Sequence, residues 1–286
     1  MVRLATWTFL VAAAVVVGCG PAKELPDEVP AGPDTSEKPA AVPAVSEPAA
    51  KAYVEKAVKA YSGGKPEQVA KGKVSRLVLK GKQYKLSDIP VIETVRTLAA
   101  GWPDRYVDTD ERQAQGRTAV VTAYLHRPHF AVVSEGVEQV INNPAERERN
   151  FAADATGQLW MALFLPLTDP KAIVYELRPS EFLATTAKQP VPTHTLKLSL
   201  GDFPQYQLTF DAKTDALLRV EYTYVQFGTP ARQTWTYSDH KPGPNGFLLP
   251  GKVEFRLNNI LAEEWEVQKW EFPATIDDAE FSPPKK

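Results

Sequence analysis

Three groups of residues in this chain of 286 residues have types and spacings that chemistry could use: a lone thiol at Cys19, a His-x-x-His pair at His126 and His129, and carboxylates clustered in DTDERQ (108–113), Glu263-Glu264 and Asp277-Asp278. A zinc site needs three or four ligands in compatible geometry. His126 and His129 bracket Pro128, and only His194 and His240 remain elsewhere, so the pair reads as surface histidines at a strand edge and no metal is expected. A calcium loop needs alternating oxygen ligands, a glycine at the sharp turn and a distal glutamate, and DTDERQAQGR lacks that order. The carboxylate pairs are read as solvated turns, although paired carboxylates for glycoside hydrolysis can come from anywhere in a fold. The sequence has no G-x-S-x-G elbow, H-E-x-x-H helix, phosphate-binding loop or dinucleotide glycine pattern. Binding without catalysis, and without a cofactor, is therefore the expectation.

The thiol has a more specific context. Arg3 precedes an apolar run from Phe9 to Val17, which is shorter than the roughly 20 apolar residues a spanning helix needs. This is the layout of a secretory signal, so residues 1–18 read as a signal peptide. Val16-Val17-Gly18-Cys19 resembles the bacterial lipobox, in which the cysteine is acylated and becomes the new N-terminus. That resemblance implies a multiply acylated Cys19, and two or more chains hold a membrane firmly where one binds reversibly. Gly20 follows, with no aspartate there to argue for retention at the inner membrane. The expected location is the periplasmic face of the outer membrane. Without residues 1–18 the chain has 32 basic and 35 acidic side chains, a formal charge of −3, and no basic excess points to nucleic acid.

Residues 20–50 contain seven prolines and no aromatic residue. Such a segment cannot bury enough surface to offset its ordering entropy, so residues 19–47 read as an acylated cysteine and a Pro/Ala-rich disordered tether. Folding is expected from Pro48. Tyr53, Val54, Ala57, Val58 and Tyr61 recur at helical spacing, and Gly63-Gly64 supply a stop. Strand-like runs follow at 68–86 and 117–133, the latter divided by Pro128, with a short helix predicted between them in SDIPVIETVRTLAAGW, ending at Gly101. In FAADATGQLWMALFLPL the residues Leu159, Trp160, Leu163, Phe164 and Leu167 predict a second, strongly apolar helix.

After residue 190 the texture changes to period-two alternation. HTLKLSL, YQLTF, LLRVEYTYVQF, RQTWTYS, KVEFRLN and EEWEVQKWEF predict antiparallel strands separated by turns such as DAKTD (211–215) and KPGPNG (241–246). The fold class is α+β: a long, curved antiparallel sheet with helices packed on one face. If the helices leave that face incompletely filled, Leu159, Trp160, Leu163 and Phe164 face Tyr222, Tyr224, Trp235 and Phe255 across an apolar cavity. Alternation alone does not fix which register of VEYTYVQF points inward.

FDAKTDALLRVEYTY carries the pattern D-x-x-T-x-x-L-x-R in Asp211, Thr214, Leu217 and Arg219. YSDHKPGPNGFLLPGKVEF carries Y-x-D…G-x-x-L-P-x-K-V-E in Tyr237, Asp239, Gly246, Leu249, Pro250, Lys252, Val253 and Glu254. With the lipobox, spacer and amphipathic helix, these hairpins make the chain resemble the periplasmic lipoprotein-carrier and sorting (LolA/LolB-like) superfamily and related mycobacterial envelope lipoproteins. The resemblance implies a single domain over 48–286, built as an unclosed β-barrel with helices on its concave face. It also implies non-catalytic binding of a lipid, acyl chain or lipoprotein. Cys19 makes the chain more like the anchored receptor or the mycobacterial lipid-binding lipoproteins than the soluble carrier. A structural or sensing lipoprotein with a packed core and an envelope protein partner is the alternative, and a hydrolase with an unrecognised carboxylate site is a third reading.

Overall fold

The computed structural model describes residues 41–84, 91–114, 116–183, 189–226 and 229–284. The Cys19 anchor, the signal and most of the tether lie outside the described residues. Helix α1 (Pro48–Tyr61) has proline in its first turn, where the missing N–H has no intrahelical partner to lose. Its buried residues include all five of the predicted apolar stripe, together with Ala50. Gly63 and Gly64 take positive φ and end the helix.

Six strands follow as successive hairpins: β1 (Val74–Gln83), β2 (Ile92–Gly101), β3 (Arg105–Ala114), β4 (Arg117–His126), β5 (His129–Ser134) and β6 (Val137–Glu138). Helix α2 (Pro144–Ala155) and an apolar, turn-rich segment to Thr168 come next. The chain then runs through β7 (Ile173–Phe182), β8 (Val191–Ser199), β9 (Tyr206–Asp211), β10 (Leu217–Gln226), β11 (Thr229–Ser238), β12 (Lys241–Pro242), β13 (Leu248–Leu249), β14 (Lys252–Leu257) and β15 (Ile260–Glu271). Among the described residues, β12 and β13 form a small ribbon, and the other thirteen strands form one sheet in the order β6-β5-β4-β3-β2-β1-β15-β14-β11-β10-β9-β8-β7. The pairing of β15 with β1 joins the two hairpin runs. The terminal strands β6 and β7 do not pair with each other, so the sheet is unclosed.

The alternating segments after residue 190 form the strands their pattern predicts, and Asp211 closes the β9–β10 turn by accepting the Lys213 and Thr214 amides at 2.8 Å each. Three expectations are corrected. Residues 92–101 are strand β2 rather than a helix: Ile92, Thr94, Arg96 and Leu98 are buried while Glu93 and Thr97 are exposed, a period of two that pairs with strands on both sides. DTDERQ is the middle of β3 rather than a solvated turn. The apolar helix stops early, because α2 ends at Ala155 and widens into a π-helical turn over Thr156–Trp160. Tight turns then carry the chain to Pro166, with Phe164 at φ +58° reversing its direction. His126 and His129 face each other across the β4–β5 hairpin.

Helices α1 and α2 and the segment 156–168 lie against the concave face, where the core is gathered. The opposite face is covered in part by a short 3-10 turn, Asp278–Phe281, whose buried Phe281 lies under the Arg105 guanidinium at 5.4 Å. Ahead of α1, the Glu47 amide donates to the Val174 carbonyl at 2.9 Å and the Ser46 hydroxyl accepts the Val174 amide at 3.1 Å, which caps part of the edge of β7.

Candidate functional site: a polar belt on the concave face

The residues proposed from sequence as a cavity lining fall into two groups. Leu159, Trp160, Leu163 and Phe164 are at most 2% exposed. Phe164 stacks on Tyr61 at 4.4 Å and meets Phe210 edge-on at 6.0 Å, while Trp160 meets Trp102 and Tyr106 edge-on at 5.0 and 5.9 Å. The second group lines the sheet: Tyr222 and Tyr224 on β10, Trp235 on β11 and Phe255 on β14. Trp235 stacks on Phe255 at 4.4 Å, and Tyr222 lies 6.2 Å from Tyr224. Tyr222 and Trp235 are buried, whereas Tyr224 and Phe255 keep partial exposure.

Helical segment and sheet aromatics meet at Gly157. A Cβ there would lie 2.5 Å from Trp235 Cδ1 and 3.0 Å from Tyr222 Cε1, so only glycine allows this approach. The Tyr237 hydroxyl donates to the Gly157 carbonyl, the Trp235 indole N–H donates to the Tyr222 hydroxyl at 3.2 Å, and that hydroxyl donates to Asp154 Oδ1 at 2.6 Å. The register of VEYTYVQF is thereby fixed, with Tyr222 inward. Glu221 lies on the other face between Arg219 and Arg232.

Beside these aromatics the concave face carries charges that the sequence reading assigned to solvent. Arg96 on β2 is 6% exposed. Its Nε donates to Asp110 Oδ1 at 2.7 Å, its Nη1 donates to Glu263 Oε2 on β15 at 2.9 Å, and Asp108 Oδ1 is 3.4 Å from Nε. Arg112 and Gln83 donate to Asp110 Oδ2 at 2.9 and 2.7 Å. The guanidinium also lies over the Trp265 ring at 4.3 Å, and the Trp265 indole donates to Glu263 Oε2 at 2.9 Å. Gly81 on β1, paired with Trp265, makes room for that ring, since any Cβ there would collide with the Glu264 carbonyl. The signal for this belt was present in RYVDTDERQ: Tyr106, Asp108, Asp110 and Arg112 recur at every second position, so they share one face once the segment is a strand.

The electrostatics follow from burial. Arg96 and Arg112 hold the Asp110 carboxyl well below its ordinary range, despite the desolvation that opposes its ionisation. Desolvation raises Asp108, with Arg96 opposing. Asp154, at the end of α2, is pushed up to about 7 by desolvation, against the opposing Tyr222 hydrogen bond. Glu263 raises it further and Arg96 lowers it, which puts Asp154 within electrostatic reach of the belt. Tyr106 ties the π-helical turn after α2 to the same region by donating to Gln158 Oε1 at 2.9 Å. The result is an amphiphilic stretch of the concave face, with aromatic rings on β10, β11 and β14 and carboxyls and guanidiniums on β2, β3 and β15. Among the described residues no cluster of histidine, cysteine and carboxylate side chains has the arrangement of a metal site.

No protein-family profile matches the sequence, and no curated protein sequence matches it. Solved structures with a similar chain path include an outer membrane lipoprotein-sorting protein domain from Vibrio parahaemolyticus (12% identity, TM-score 0.47), covering 80% of this chain and 97% of that one. A LolA superfamily protein from Nitrosomonas europaea is 13% identical with a TM-score of 0.48, over 82% of this chain and 97% of its own. A DUF1329 family protein from Desulfovibrio piger is 11% identical with a TM-score of 0.46, over the same shares.

Proposed function

We propose that this chain is an envelope lipoprotein, held through acylated Cys19 at the periplasmic face of the outer membrane. In this reading residues 48–286 bind a lipid, an acyl chain or a lipoprotein between the concave sheet face and its helices, without catalysis. The observation that carries it is the character of that face. It is an unclosed apolar sheet covered by helices and turns rather than by strands, and its rings at Tyr224 and Phe255 stay partly open to solvent beside the half-buried Asp154. Apolar walls with a few convergent polar groups are what small-molecule sites use. The lipobox around Cys19 supplies the anchor, and a Pro-rich tether extending by about 3.1 Å per residue would let the domain reach away from the bilayer.

The test is native mass spectrometry of the full chain purified from cells, followed by organic extraction. A bound amphiphile, lost when Tyr224 and Phe255 are both replaced by aspartate in a protein that still folds, is the expected result. A mass without ligand that stays unchanged after incubation with lipids and acyl peptides would overturn the reading. The close packing of Leu159 through Leu165 favours a second reading, a structural or sensing lipoprotein that works through an envelope protein partner. For the anchor, Cys19→Ser should move the protein from the membrane fraction to the soluble one.

A further inference from the structure

The concave belt has four carboxyl groups to two guanidiniums, with Arg147 within electrostatic reach of Tyr224 at its rim. The carboxyls are those of Asp108, Asp110, Glu263 and Asp154, and the guanidiniums of Arg96 and Arg112 are both committed to Asp110, with Arg96 also gripping Glu263. Among the described residues Asp154 accepts a hydrogen bond from the neutral Tyr222 hydroxyl, and the charges acting on it are Glu263 and Arg96.

A second set of observations is independent of that charge. Gln233 is fully buried, and neither atom of its amide has a partner among the described residues. It lies on β11 two residues from Trp235 and directly across from Tyr222, so it shares the inward face with the pair that leads to Asp154. Gln158 is 3% exposed, and its Nε2 has no partner although its Oε1 accepts from Tyr106. Thr94, paired with Arg112 on the same face, is 2% exposed with an unpartnered hydroxyl. Leaving buried polar groups unpaired costs free energy, and native interiors keep few of them. Gln233 shares the inward face with Tyr222, whose hydroxyl donates to Asp154, a carboxyl that keeps partial exposure.

Resting on the amphiphile reading above, we propose that this belt is the head-group site and that the amphiphile it takes carries a protonated amine. The ammonium donates to Asp154 and to the Gln233 carbonyl oxygen. Its hydrocarbon runs along Tyr224, Trp235 and Phe255. An anionic head would offer Asp154 and the Gln233 carbonyl no proton to accept, so a carboxylate or sulfate amphiphile of equal chain length binds more weakly.

The experiment uses the full chain carrying Cys19→Ser, so that it is recovered without an acyl anchor. Binding of dodecylammonium, laurate and dodecyl sulfate is measured by calorimetry below their micellar concentrations. Dodecylammonium should bind at least tenfold more tightly than either anion, and Asp154→Asn should reduce that ratio at least tenfold. Gln233→Leu guards against a misfolded variant. Because its amide has no partner to lose, the protein should melt no lower, while its affinity for dodecylammonium falls at least threefold. Equal or tighter binding of the anions, or an unchanged ratio in both variants, would overturn the head-group assignment and leave the amphiphile reading standing. Failure of all three probes to bind would overturn both. Lysophosphatidylethanolamine and a palmitoylated peptide with one lysine, each against its N-acetylated form, then separate a lipid amine from a protein amine. Loss of binding on acetylation of either supports the site, and indifference of both overturns it.

Discussion

The two ends of the concave face are built by different physics on the same sheet. Under α1, Tyr61 lies stacked between Phe164 at 4.4 Å and Phe247 at 5.1 Å, and Tyr53 meets Phe210 edge-on at 5.6 Å. That end is held by ring contact and aliphatic burial, which are non-directional and insensitive to which neighbour supplies the surface. Under the end of α2, the face is organised around one guanidinium that three carboxyls approach from β3 and β15. Order there depends on direction and charge, since a buried ion pair recovers its desolvation cost only with good geometry and further hydrogen bonds. The difference separates a region held by apolar packing from a region held by directed charge and hydrogen bonds.

Substitutions should break this contrast in order of size. Arg96→Met strands the Asp110 and Glu263 carboxyls, and should cost about 3–5 kcal/mol in urea unfolding. Replacing Arg96, Asp110 and Glu263 together by Met, Leu and Leu should recover most of that loss, and a triple variant as unstable as the single one would contradict the charge-based account. At the apolar end, Leu163→Ala should cost about 3 kcal/mol, within the usual range for a fully buried leucine, by the same measurement.

Gly157→Ala probes the junction between the two ends. Its Cβ would press on Trp235 and Tyr222, so a loss of about 1–3 kcal/mol is expected, with a change in near-ultraviolet circular dichroism from the displaced indole. Tyr222→Phe removes the hydroxyl that bridges Trp235 and Asp154, and should cost about 1 kcal/mol, read from the same unfolding curves.

The smallest effect is a pH slope. Asp154 is raised in the fold, from an ordinary carboxylate value of 3.8 to about 7, so the folded state holds its proton longer than the unfolded chain does. Its contribution is most favourable below the unfolded value and is lost as pH rises through about 7. Asp110 has the opposite sign: it is depressed, so its contribution is present above the unfolded value and lost on acidification. Asp154→Asn should therefore gain on the parent between pH 4 and pH 7, as measured by melting temperature. A flat difference across that window would show that Asp154 is not desolvated as its surroundings imply.

The legibility of the sequence divides along the same line. The stripe of α1, the six alternating runs after residue 190 and the turn at DAKTD each form what local spacing predicts, because a neighbour of almost any shape satisfies an apolar face. Segment 92–101 and DTDERQ depart from what their local pattern predicts for one reason. A charged residue in a strand looks like a residue bound for water unless its counter-charge is known. The partner of Arg96 is 14 residues away at Asp110 and 167 away at Glu263. The early end of the second helix was hidden in another way, since Leu159 through Leu167 are apolar on every side and suit a helix or a buried turn equally.

The sequence by itself determined a lone thiol after an apolar run, a proline-rich stretch, one amphipathic helix and a succession of half-apolar strands, because each is written within a few residues of itself. Tertiary structure alone decided that β15 closes onto β1, that Tyr222 rather than Glu221 faces the helices, and that Asp108, Asp110 and Glu263 meet around Arg96. Those are relations between residues distant in the chain, and a charge changes from solvated to structural only when the fold brings it a partner and takes away its water.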